Sequence, residues 1–67
     1  MGEVDEMKLT LILFGQTTIT HHAKKYEAIN YAMTQAGLKT TSGHAMCLRN
    51  YNNVNFPGNA GSAKIEE

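Results

Sequence analysis

Met7-Lys-Leu-Thr-Leu-Ile-Leu-Phe14 is the stretch on which the reading of this chain turns. Leu9, Leu11 and Leu13 project to one face of a strand, while Ile12 and Phe14 lie in the opposite phase with Lys8 and Thr10. Apolar side chains on both faces predict a strand in the middle of the structure, with cover on both sides.

Working outward, Gly15-Gln16 suits a tight type II′ hairpin turn, with Thr17-Thr18-Ile19-Thr20 as a short β-branched returning strand. Thr20 is then placed to cap a helix, its hydroxyl accepting from an orphan backbone N–H of the first turn. Within that helix Tyr26, Ile29, Met33 and Ala36 recur at helical spacing and form an apolar stripe, flanked by Ala23, Ala28 and Ala32. Gly37 supplies the left-handed residue that ends it, and Leu38 folds back onto Met33. Lys24, Glu27, Tyr31 and Gln35 share the polar face, where Tyr31 stands out as a large amphipathic side chain suited to anchoring a partner.

Lys39 to Gly43 reads as a loop. His44 to Tyr51 reads as a strand, with Met46 and Leu48 on one face and Cys47, Arg49 and Tyr51 on the other. Asn52-Asn53 fits a two-residue turn that returns Val54-Asn55-Phe56 to pair with it. The small and polar residues after Pro57-Gly58 predict disorder. The expected organisation is a flexible acidic N-terminus at 1–6, one α+β domain at 7–56 and a flexible C-terminal tail at 57–67. The expected fold is a small β-β-α-β-β domain, a mainly antiparallel sheet with one helix packed on one face.

A chain of 67 residues buries only about 60% of the surface it exposes when unfolded, so a homodimer is an economical route to stability. Cys47 has no second cysteine to pair with, and a lone thiol suits a reducing, cytoplasmic setting. The apolar run is far shorter than the roughly 20 residues of a spanning helix, and the acidic start is unlike a signal peptide. No membrane association is expected. The formal net charge is zero, yet the charges are segregated. Between Met7 and Phe56 the cations Lys8, Lys24, Lys25, Lys39 and Arg49 face a single acid, Glu27. Such a basic body attracts polyanions or an acidic protein surface.

Little here carries catalytic chemistry. His21, His22, His44 and Cys47 are the soft-metal candidates, but they lack the paired spacing of a closed tetrahedral site, so no metal and no cofactor are expected. Glu27 has no partner carboxylate within the body, and no phosphate loop or dinucleotide fingerprint occurs. The unusual stretch is Arg49-Asn-Tyr-Asn-Asn-Val-Asn-Phe56, with its four asparagines, a cation and two aromatics. The reading is therefore a non-enzymatic protein-interaction module, a small regulator, adaptor or inhibitor of a larger protein. It would use Tyr31, Arg49, Tyr51, Asn52 and Asn53, or an open sheet edge. The alternative is a single-stranded nucleic-acid binder using Lys24, Lys25, Lys39, Arg49 and Tyr51, with strand-borne aromatics stacking on bases.

Overall fold

The structure, a computed structural model, describes residues 6–67. The flexible acidic N-terminus expected at 1–6 thus lies outside the described residues, apart from an exposed Glu6. The chain runs β1 (Met7–Leu13), β2 (Gln16–His22), α1 (Lys25–Ala36), α2 (Gly43–Tyr51), β3 (Asn53–Asn55) and β4 (Gly61–Glu66). A 3-10 turn at Pro57–Asn59 joins the last two strands. The class is small α+β as expected, but the order is β-β-α-α-β-β, with a four-stranded antiparallel sheet arranged β2-β1-β4-β3.

β1 is central, between β2 and β4. Its odd-numbered face is covered: Leu9 and Leu11 are buried and Met7 and Leu13 pack against the core. The even-numbered face carries no helix. Ile12 is exposed there, and Phe14, at the hairpin tip, is 80% exposed. Among the described residues the strand is therefore covered on one side only, because both helices lie over the same face of the sheet. The hairpin turn is also shifted by one residue. Phe14 and Gly15 both have positive φ, 51° and 82°, the signature of a type I′ turn, so Gln16 already belongs to β2.

Thr20 lies inside β2, paired with Leu9, and does not cap the helix. Lys24 takes the N-cap position of α1, and Glu27 Oε1 accepts from its backbone N–H at 3.3 Å. The buried face of α1 is Ala28, Ile29, Ala32 and Met33. Ile29 and Met33 keep their expected place, but Tyr26 is exposed. Gly37 ends the helix at φ 76°, and the Leu38 N–H reaches back to the Met33 carbonyl at 2.8 Å, the expected left-handed stop.

His44 to Tyr51 belongs to a helix. Ser42 Oγ accepts from the Ala45 N–H at 3.3 Å, which satisfies an orphan donor and starts α2. Ala45 and Leu48, one turn apart, are its buried residues, and Met46 and Cys47 are exposed. Asn52 is the left-handed C-cap at φ 62° rather than half of a hairpin turn, its N–H bonded to the Leu48 carbonyl.

The C-terminal stretch differs most from expectation. Residues 57–67, read as a flexible tail, hold the 3-10 turn and the second central strand. β4 pairs with β1 on one side, Leu9 opposite Ile65 and Leu11 opposite Ala63, and with β3 on the other. Val54 and Phe56 do share the buried side, but their strand neighbour is β4.

Gly61 explains how β4 enters the sheet. Its φ is 147°, and an added Cβ would lie 1.7 Å from the Ile12 carbonyl oxygen. Neither the backbone angle nor the space suits any other residue. Gly61→Ala should cost about 3 kcal/mol or more, a large share of the stability of so small a domain. Gly37→Ala, where nothing lies near the new methyl, should cost only about 1 kcal/mol. Thermal or urea unfolding of the two variants checks the contrast, and equal losses would contradict this account of β4.

Candidate binding groove

The two helices are pinned together at both ends. At one, Ser42 Oγ donates to Met33 Sδ at 3.8 Å, linking the start of α2 to the last turns of α1. At the other, Lys25 Nζ donates to the Arg49 carbonyl at 2.6 Å. That carbonyl is among those left free at the end of α2, so the ammonium serves as a cap supplied by the neighbouring helix. α1 and α2 therefore run antiparallel, with a groove between them.

This groove has a volume of about 440 Å³. Ile29 and Ala45, both nearly buried, form its floor. Tyr26 and Met46 stand on its two sides, 59% and 55% exposed. Lys25 and Arg49 close one end, Thr41 and Ser42 line the other, and among the described residues no carboxylate lines it. An apolar floor, two large apolar side chains held out in water and two cations at one end can accept an apolar side chain with a carboxylate beside it, although Lys25 also borders Glu66 and Glu67 on its other flank. Met46, unbranched and polarizable, can adapt to different shapes.

The residues singled out from the sequence are not all brought together. Arg49 lies on the groove. Tyr51, at the end of α2, is exposed but outside the groove lining. Asn52 caps α2, and Asn53 Nδ2 donates to the Tyr51 carbonyl at 3.2 Å, so both side chains serve the helix-to-strand corner. Tyr31 is half-buried rather than on a free polar face. Its ring packs on His22, with centroids 5.4 Å apart, on the flank of α1 that faces β2. Of the cations proposed for nucleic acid, Lys24, Lys25 and Arg49 gather where α1 starts and α2 ends, while Lys39 sits in the connection at the opposite end. Arg49 and Tyr51 are carried by a helix, which removes the strand-borne stacking platform expected for them.

His21 and His22 project to opposite faces of β2, and His44 and Cys47 lie one turn apart on α2. Among the described residues, no three His, Cys, Asp or Glu side chains are grouped to hold one ion. Also among them, no helix is long and apolar enough to cross a membrane. Sequence reasoning missed Tyr26 and Met46 as surface residues. The available signal was Ser42 followed by Ala45 and Leu48, a cap and an i, i+3 apolar pair that mark a helix with Met46 turned outward.

No family model, curated protein or solved structure matches the chain. The helical register of α2 makes its own prediction. Cys47 points to solvent and should react stoichiometrically with a water-soluble aromatic disulfide in the native state, and Cys47→Ser should shift stability by no more than about 0.5 kcal/mol. Protection of the thiol until unfolding would place α2 in a different register.

Proposed function

We propose that this protein is a non-enzymatic protein-interaction module, a small regulator, adaptor or inhibitor that grips an acidic, apolar-anchored segment of a larger protein in the groove between α1 and α2. The observation that carries this reading is the groove's chemistry: exposed Tyr26 and Met46 over an apolar floor, with Lys25 and Arg49 at one end and, among the described residues, no lining carboxylate. Aromatic, Met and Arg side chains are the types enriched at interfaces. Burying the apolar parts of Tyr26 and Met46 supplies affinity, and the paired cations favour an acidic partner and set its direction in the groove. Lys25 already donates to the Arg49 carbonyl, so its ammonium is held in place before a ligand arrives, which lowers the entropy cost of using it.

The second reading, a single-stranded nucleic-acid binder, retains Lys24, Lys25, Arg49 and Tyr51 near one end of the helix pair. It predicts affinity that falls steeply with salt.

Fluorescence anisotropy separates the two. The probes are a labelled amphipathic peptide of Leu, Phe, Glu and Asp, the same peptide with Lys for its acids, and a single-stranded oligonucleotide. The acidic peptide should bind, and Arg49→Glu and Met46→Ala should each weaken it about tenfold, or about 1.4 kcal/mol. Both side chains are exposed, so the fold should survive the changes. Equal binding of both peptides, or binding of the oligonucleotide alone, would reject the protein-binding reading.

A further inference from the structure

We infer that β2 is a self-pairing edge, and that two copies of this chain join through it, antiparallel about a two-fold axis at Ile19, into one sheet of twice the width. The inference is independent of the groove, which lies on the helical layer.

The geometry follows from the hairpin. Leu13 and Gln16 flank the two-residue turn and are partners, so they form the hydrogen-bonded pair next to it. The backbone groups of Gln16, Thr18, Thr20 and His22 then point to β1. Those of Thr17, Ile19 and His21 point away, and β2 is the outer strand of the sheet. Pairing two copies with Ile19 opposite Ile19 puts Thr17 opposite the partner's His21, and each outward N–H and C=O of these residues meets a complementary group. Moving the axis to Thr18 or Thr20 leaves some of them facing the turn or the residues beyond the strand. The Ile19 register is therefore the symmetric one that satisfies the whole edge.

The side chains agree with that register. Ile19, 52% exposed on the face without helices, would lie beside its symmetry mate, with the exposed Ile12 diagonal to it on β1. On the other face Thr18 would lie opposite the partner's Thr20, a favourable β-branched pair. β2 carries no Asp, Glu, Lys, Arg or Pro over its seven residues. Self-pairing thus meets no like charge and no missing donor, and the devices that normally blunt an edge strand are not present there. The opposite edge is different. β3 has only three residues, ended by the left-handed Asn52 on one side and by Phe56-Pro57 on the other. Assembly should stop at two copies, because β3 offers too short a template to continue it.

Sedimentation velocity on the full chain tests this over a wide concentration range. The mass should rise to twice that of one chain and go no further. Ile19→Lys puts like charges face to face at the axis and should weaken the dimer by at least about tenfold, whereas Met46→Lys on the helical layer should not. In case Ile19→Lys fails to fold, a synthetic chain with a methyl group on the Ile19 backbone nitrogen removes an outward donor and leaves the β1–β2 ladder intact. It too should weaken association by at least about tenfold. A chain that stays monomeric throughout overturns the inference. So does assembly that grows past two copies, or a dimer that neither Ile19 change weakens.

Discussion

The structure depends on β4 lying between β1 and β3. Without it β1 would be an edge strand, β3 would have no partner, and the apolar row of Leu9 and Leu11 would lack its neighbours Ile65 and Ala63. The first strand and the last are thus the two halves of the sheet's centre, joined by most of the chain's length. Closing such a loop costs entropy before any contact rewards it, but the cost grows only slowly with loop length. What sets the fit is local: Gly61 passes against the Ile12 carbonyl where a side chain could not. Small residues recur across the core, at Ala28, Ala32, Ala45 and Ala63. They let helices and sheet approach closely and fill space without bulky side chains.

Placing both helices on one face divides the surface into two kinds. Over the helices, α2 leans on Ile29 and Met33 and leaves a groove whose end is set by a lysine capping its neighbour's last turn. On the other side no described element covers the sheet, and its outer strand is threonine-rich and without Asp, Glu, Lys or Arg. The two surfaces differ in chemistry: the groove offers cations and apolar side chains, and the outer strand offers backbone groups.

Much of the frame was legible in the residues. The alternating leucines mark the central strand, the alanine-rich segment marks α1, and Gly37 followed by Leu38 marks its end. Two elements were not. His44 to Tyr51 is short, and an apolar pair such as Met46 and Leu48 fits a strand as readily as Ala45 and Leu48 fit a helix. Only the Ser42 cap decides between them, and it was absorbed into a loop of small polar residues. β4 was hidden for another reason. Ala63 and Ile65 alternate with Lys64 and Glu66, which is strand periodicity, but Gly, Asn and Ser around them read as disorder. What makes the segment a strand is a partner far upstream, and composition does not report that. The candidate site was legible in part. Arg49 lies on the groove, but the two tyrosines of α1 exchanged places: Tyr26, read as core, stands at the groove, and Tyr31, read as surface, packs on His22. A helical stripe shows which residues share a side of α1, and only the positions of α2 and β2 determine which side is covered.

Native-state amide hydrogen exchange, residue by residue, tests the central claim most directly. If β4 is the inner partner of β1, the amides that join them, Thr10 and Ile12 on one strand and Ser62 and Lys64 on the other, should exchange as slowly as those of Leu9 and Leu11 and open only with the whole domain. Ser62 and Lys64 exchanging at the rate of an unprotected chain, while Leu9 and Leu11 stay protected, would contradict it.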